Sequence, residues 1–318
     1  MSAVASFAPR GAAPMPTPPV PTQAVPMPTV PTQAVPMPPV PAQAVPMPTV
    51  PMPPVPAHAV PMPHATTPAA DSLRVRDAGI RFGELTVFEH LDFAVGEGEF
   101  VSLLGPSGCG KSTLLKAMAG LAPLSSGAID VCSGRPGERR MALVFQKPLL
   151  LPWRTLLENV LLPAEIGLGG NAVGAADRAR ARRLIELVRL GGFADAYPHQ
   201  LSGGMQQRAA LARALMSDAE ILLMDEPFGA LDELTRTTLN EELLQIWRSS
   251  ATRLKTVVMV THSIAEAVAL SDRVLVFSSR PARIIDTVSI APEQPRQPDD
   301  PEVARIIKRL RASIRAVL

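Results

Sequence analysis

A compact, mostly apolar run, Phe100 to Leu104, passes directly into Gly105-Pro-Ser-Gly-Cys-Gly-Lys-Ser112, and this junction constrains the fold more than any other stretch of the chain. Five such residues bounded by turn formers read as a buried strand. The segment that follows fits G-x-x-x-x-G-K-[ST], a pattern that carries meaning only directly after a strand and before a helix. Gly105, Gly108 and Gly110 let the backbone turn so that its N–H groups converge on one concavity. The next helix directs its positive end at the same point. Strand, glycine loop and helix in that order belong to an α/β sheet, not to a helical bundle or a β-sandwich. The loop is a phosphate cradle, in which Lys111 reaches the terminal phosphates of a nucleoside triphosphate and the Ser112 hydroxyl ligates Mg²⁺. Pro106, Ser107, Cys109 and Thr113 complete the segment.

Other runs repeat the strand signal. Ile221 to Met224, Val257 to Val260 and Val274 to Phe277 are short and wholly apolar, as strands buried on both faces tend to be. A helical pattern from Asp177 to Leu190 ends at Gly191-Gly192. The run Ile221 to Met224 finishes in two carboxylates. Asp225 is placed to hold Mg²⁺, and Glu226 to act as general base on an attacking water. Gln146, in Val144-Phe-Gln-Lys147, carries an amide suited to both metal and water. His262, in Val260-Thr-His-Ser263, follows a strand, where an imidazole can donate to a γ-phosphate.

Between these lies Leu201-Ser-Gly-Gly-Met-Gln-Gln-Arg208, and Ala230-Leu231-Asp232 follows the acidic pair. The ordered set GPSGCGKST, VFQ, LSGGMQQR, LLMDEP, ALD and VTH resembles the nucleotide-binding domain of ATP-binding cassette (ABC) ATPases from about residue 72 to 290. The resemblance implies a P-loop cassette: a RecA-like core with a mainly parallel sheet, an antiparallel β subdomain, and a helical subdomain at about 147–215. It implies ATP and Mg²⁺ as ligands, and metal contacts from Ser112, Gln146 and Asp225. It further implies that Leu201, Ser202, Gly203, Gly204 and Gln206 meet ATP held by a second copy of the chain, that Asp232 links the two sites, and that Phe82 stacks on adenine. A soluble ABC protein of translation or DNA maintenance is the other reading, but those usually carry two cassettes or long coiled-coil insertions, and this chain has one set of motifs.

Local features narrow the class. Tyr197-Pro-His-Gln-Leu-Ser202 resembles bacterial importers. Leu149-Leu-Leu-Pro-Trp-Arg-Thr155, Glu158-Asn-Val160, Phe228-Gly-Ala-Leu-Asp232 and Ser279-Arg-Pro281 resemble the nitrate, sulfonate and taurine importer branch. The resemblance implies ATP hydrolysis that energises uptake of a small solute, of nitrate, sulfonate or taurine type or a related pyrimidine, through transmembrane permease subunits met by residues 146–167, and indirectly a periplasmic substrate-binding protein. The expected location is the cytoplasmic face of the inner membrane, held through the permease.

Composition limits the alternatives. Lys plus Arg is 31 against 29 for Asp plus Glu, so the net charge of +2 makes no case for a nucleic-acid partner. Two cysteines, Cys109 and Cys132, are too few for a disulfide framework and suit a reducing compartment. No run approaches the ~20 apolar residues that span a bilayer, and no secretory signal is visible. Residues 1–70 hold 22 of the 35 prolines and one charged residue, Arg10, in repeats beginning at Ala24, Ala34, Ala44 and Ala59. Proline at that density prevents helix and sheet alike, so a disordered, extended tail is expected there. The globular domain is expected over 71–290. A linker and amphipathic helix follow over 291–318, in which Val303, Ile306, Ile307, Leu310, Ile314 and Val317 recur at helical spacing.

Overall fold

A computed structural model of the protein describes residues 70–132, 141–167, 173–297 and 300–317. The expected proline-rich tail, apart from Ala70, lies outside the described residues. The strands are β1 (Asp71–Phe82), β2 (Leu85–Gly96), β3 (Phe100–Leu104), β4 (Ser126–Val131), β5 (Met141–Val144), β6 (Ile221–Asp225), β7 (Thr256–Thr261), β8 (Arg273–Phe277) and β9 (Ile284–Ser289). The helices are α1 (Lys111–Met118), α2 (Leu156–Gly167), α3 (Ala175–Leu187), α4 (Gly203–Met216), α5 (Glu233–Arg248), α6 (Ile264–Leu270) and α7 (Pro301–Arg315).

The central sheet runs β5-β6-β7-β3-β8-β9. Its strands pair in parallel except β9, which returns antiparallel to β8. The apolar runs seen in the sequence are its middle: every residue of β3, β6 and β7 is buried. A second sheet, β2-β1-β4, is antiparallel. The face between the two sheets packs Ile80, Phe88 and Leu91 against Leu103, Leu115 and Val260. The opposite face of the central sheet, with Leu222, Met224 and Met259, packs on Leu184, Leu211 and Leu243 from α3, α4 and α5. The fold is thus α/β with a mainly parallel sheet, an added antiparallel sheet, and a helical layer inserted between β5 and β6.

That helical layer is fastened electrostatically as well. Glu242 on α5 is buried and receives Arg208 of α4 at 3.0 Å, with Arg189 at 3.4 Å. One expectation shifts here. The helix expected over Asp177 to Leu190 is α3, which stops at Leu187, ahead of the glycine pair. Arg189 enters the left-handed region at φ 58° and the Leu190 amide bonds back to the Ile185 carbonyl, so the arginine makes the stop, not Gly191.

The C-terminal helix lies on its own domain. Val303 and Leu310 are buried beside Val274, Val276 and Val288, each contributing about 1.5–3 kcal/mol. Asp286 on β9 accepts from Arg309 at 2.6 Å and from Ser313 at 2.8 Å. The Arg309 guanidinium holds the Asp286 carboxyl below the usual carboxylate range. A depressed folded value means stability that is present above the ordinary carboxylate pKa of about 4 and is lost as pH falls through the folded value. Asp286→Asn is expected to cost about 1 kcal/mol at pH 7, since Arg309 is largely exposed and screened. Chemical denaturation of the full chain at pH 7 and pH 3 checks this: the difference from wild type shrinks at the lower pH.

Candidate active site

Parallel pairing aligns the carboxyl ends of four strands. Val144 sits across from Met224, Asp225 from Val260, and Thr261 from Leu104. The residues that follow, Gln146, Glu226, His262 and Gly105, therefore share one edge of the sheet, the usual place for a ligand in an open α/β fold.

The loop Gly105–Gly110 leads from β3 into α1. Gly110 has φ 122°, and a Cβ there would stand 2.5 Å from Val87 Cγ1, so only glycine fits. It also gives α1 no side-chain cap, which leaves first-turn amides free for an anion. Lys111 is 4% exposed, and its Nζ donates to the carbonyls of Gly105 and Pro106, both at 2.8 Å. Ser107 and Gly108 are exposed, Cys109 is buried, and Ser112 and Thr113 are half-buried behind them.

Two clusters form at the strand ends. The Ser112 hydroxyl donates to Asp225 Oδ1 at 2.7 Å across 113 residues of sequence. Burial pushes the Asp225 carboxyl above its usual range; the Ser112 hydrogen bond opposes that and the neighbouring Glu226 charge adds to it. In the second cluster, Glu226 Oε2 meets Gln146 Nε2 at 3.4 Å and His262 Nδ1 at 3.2 Å. Glu226 itself has φ 44°, a left-handed conformation rare for a side-chain-bearing residue. Such strain persists only where the surroundings over-determine it; here the Glu226 amide is tied to the Val260 carbonyl at 2.9 Å.

The sequence did not single out the hydrogen-bonded network formed by the residues that flank His262. The Thr261 hydroxyl donates to the carboxylate of Glu266 and accepts from the Ser263 amide at 3.0 Å. Glu266 is buried, which pushes its carboxyl up, and its amide bonds the Ser263 hydroxyl at 3.2 Å. The signal was present: Ser263-Ile-Ala-Glu266 is a capping-box pattern.

The LSGGMQQR segment forms the start of α4. Ser202 is its N-cap, with Oγ accepting from the Met205 amide at 3.3 Å. Ser202 and Gly203 are exposed and Gly204 is half-buried, so an open helix terminus faces outward. Leu201 is buried. Gln206 turns its amide nitrogen inward, to the carbonyls of Pro198 and Leu201 at 2.9 and 3.1 Å, and so braces the loop. Among the described residues, no hydrogen bond joins these residues to Gly105–Thr113 of the same chain. Asp232 caps α5, its carboxylate accepting from the Thr235 amide at 3.0 Å, and that bond pulls its pKa down. Phe82, at the end of β1, is 56% exposed and is not a core residue.

The segment from Leu149 to Trp153 presents Leu149 and Trp153 to solvent, the latter 71% exposed. It is nonetheless braced from below. Arg213 donates to the carbonyls of Pro148 and Leu149 at 2.7 and 2.8 Å, and buried Asn159 bonds the backbone of Leu151, Arg154 and Thr155.

Comparison with known proteins identifies the family. The ABC transporter family description matches residues 88–229. An aliphatic sulfonates import ATP-binding protein of Pseudomonas savastanoi pv. phaseolicola is 45% identical over 225 residues, covering 71% of this chain and 88% of that protein. A taurine import ATP-binding protein of Rhizobium johnstonii is 48% identical over 213 residues, covering 64% of this chain and 77% of that protein. A solved dimeric, post-hydrolysis state of an ATP-binding cassette bound to ADP and Pi is 30% identical, with a TM-score of 0.59 over 70% of this chain and all of that one. The chain belongs to the ABC transporter family, among its ATP-binding, ATP-hydrolysing proteins.

Proposed function

We propose that this protein energises import of a small organosulfonate, of the taurine or alkanesulfonate class, through a separate permease. The observation that carries the ATPase half is the meeting of Gln146, Glu226 and His262 on one carboxylate oxygen beside the Ser112–Asp225 pair. Residues 71–290 make up the nucleotide-binding domain. Within it, Gly105 to Thr113 bind the phosphates of ATP, and Phe82 stacks on the adenine.

The donor set fits Mg²⁺. The Ser112 hydroxyl, an Asp225 carboxylate oxygen and the Gln146 amide oxygen are all hard oxygen ligands, the type that magnesium prefers. Gln146 gives its nitrogen to Glu226, which leaves its oxygen for the cation. When bound, Mg²⁺ neutralises charge on the phosphate oxygens. Glu226 takes the proton of the attacking water, and His262 holds the γ-phosphate in line.

Among the described residues, no hydrogen bond ties the open terminus of α4 to the phosphate loop of its own chain. A second copy supplies the loop that it meets: Ser202, Gly203 and Gly204 close over the γ-phosphate on the opposite chain, and Asp232 lies between the two sites. ATP thereby favours the closed dimer, and hydrolysis removes that bias. Leu149 and Trp153 are large apolar side chains on a braced exposed loop, which suits a permanent docking contact with the permease. The work is done at the cytoplasmic face of the membrane, with a periplasmic binding protein delivering solute. The organosulfonate class rests on the named relatives.

The test is ATP hydrolysis by the assembled transporter in proteoliposomes. Binding protein loaded with taurine or an alkanesulfonate is expected to stimulate it several-fold over unloaded protein. Stimulation by nitrate alone, or by none of these, contradicts the solute class.

A further inference from the structure

Ser279-Arg280-Pro281 lies in the β8–β9 turn, outside the residues assigned to ATP chemistry. Arg280 crosses 172 residues of sequence to reach the phosphate loop. Its Nε donates to the Gly108 carbonyl at 3.2 Å, and its Nη2 donates to the same oxygen. We propose that Arg280 is a positioning residue for the phosphate loop, fixing the Gly108–Cys109 peptide for binding of nucleoside di- and triphosphates. The inference rests on the reading of Gly105 to Thr113 as the phosphate loop.

The physical reason lies in the peptide bond. In a trans peptide the carbonyl and the following N–H point in opposite directions. Gly108, at φ 76°, is free to rotate this peptide in either sense. Two donors from one guanidinium hold its oxygen on the outer side. The Cys109 N–H is then turned into the loop, where Pro106 O accepts it only weakly, at 3.4 Å. A phosphate oxygen is a stronger acceptor for that amide. With Arg280 in place, the amide is oriented before nucleotide arrives, and less ordering remains to oppose binding.

Arg280 is itself held by a built turn. The single Ser278 hydroxyl proton is shared between the carbonyls of Ser279 and Pro281, at 2.9 and 3.3 Å, and Oγ accepts from the Arg283 amide at 3.0 Å. The far side of the turn is strapped to the antiparallel sheet: the Ala282 amide bonds the Val87 carbonyl at 2.9 Å, and Arg283 pairs with Glu89 at 2.8 Å. The near side abuts the loop, where a Cβ on Gly105 would meet the Phe277 carbonyl at 2.8 Å. The turn thus joins the central sheet, the phosphate loop and the sheet that carries Phe82. Arg280 is exposed, so its loss opens no cavity.

The experiment is calorimetric titration of the full chain with MgATP and with MgADP, beside kcat and KM of the assembled transporter. Arg280→Ala is expected to weaken both nucleotides by about tenfold, the size of a lost charged hydrogen bond. KM rises with the same factor, kcat at saturating ATP changes by less than about threefold, and nucleotide-free Tm falls by no more than a few degrees. Arg280→Lys, which keeps charge but not the two-pronged donation, recovers less than half of the loss. Binding within twofold of wild type overturns the proposal, as does full rescue by lysine, which would assign the effect to charge alone. A loss confined to MgATP also overturns it, since the γ-phosphate would then be what Arg280 serves. Lys111→Ala separates the two readings. If it leaves binding intact, the phosphate-loop assignment fails; if it abolishes binding while Arg280→Ala does not weaken it, only the role of Arg280 fails.

Discussion

Glu226→Gln slows ATP hydrolysis by roughly 100- to 10,000-fold, the range that a general base supplies. ATP affinity stays within about threefold, because the proposed role of Glu226 is to take a proton from water and not to hold nucleotide. The substitution is nearly isosteric. It keeps an oxygen for Gln146 and His262, so the cluster at 3.4 and 3.2 Å survives. It removes the one group there able to accept a proton with gain of neutrality. The contacts of Oε2 with Gln146 and His262 place the carboxylate before substrate arrives. Consequently the variant accumulates in the ATP-bound closed dimer, detectable by light scattering on the full chain. Hydrolysis within tenfold of wild type would remove Glu226 from the role of base and point to Asp225 or to substrate-assisted proton transfer.

The second large effect is at the other end of the site. Ser202→Arg leaves ATP binding to the separate chain unchanged, since Ser202 makes no bond to its own phosphate loop. Dimer closure weakens by about 100-fold or more, as the guanidinium fills the space proposed for the γ-phosphate of the opposite chain. The variant also loses the Met205 cap, which costs about 1 kcal/mol of stability. Ser202→Ala serves as the control, losing the cap alike but adding no bulk. If Ser202→Arg dimerises with ATP as wild type does, the α4 terminus is not part of the nucleotide site.

The central sheet was legible because β3, β6 and β7 are buried on both faces, and a short, continuous apolar run between turn formers suits a doubly buried strand better than any exposed element. The antiparallel sheet was expected through the family resemblance alone, because its local pattern is irregular. β1 alternates imperfectly, with register shifts against β2, and left-handed backbone at Asp77 and His90 breaks the two-residue period. α2 contains Pro163, which by local rules argues against a helix, and tertiary packing of Leu157, Val160 and Leu161 overrides it. At the site, Gln146, Asp225, Glu226 and His262 were picked out as residues that follow apolar runs, and the structure brings them to one edge of the sheet. What spacing leaves out is support: Glu266 beneath Thr261, Asn159 beneath the Trp153 loop, and Arg280 on Gly108 each act across a fold that the local pattern does not encode. Gln206 shows the converse, a residue inside a readable motif whose amide nitrogen serves its own loop.

A nucleotide site shared between two copies is tested most directly by mixing two inactive chains. Lys111→Ala spoils the phosphate loop and keeps the α4 terminus; Ser202→Arg keeps the loop and spoils the terminus. Neither variant alone hydrolyses ATP at a rate near wild type. Mixed in equal amounts, they form one complete site, from Lys111 of one chain and Ser202 of the other, and ATP hydrolysis reappears with its maximum near equal proportions. Mixtures no more active than the sum of the two separate chains would contradict a shared site.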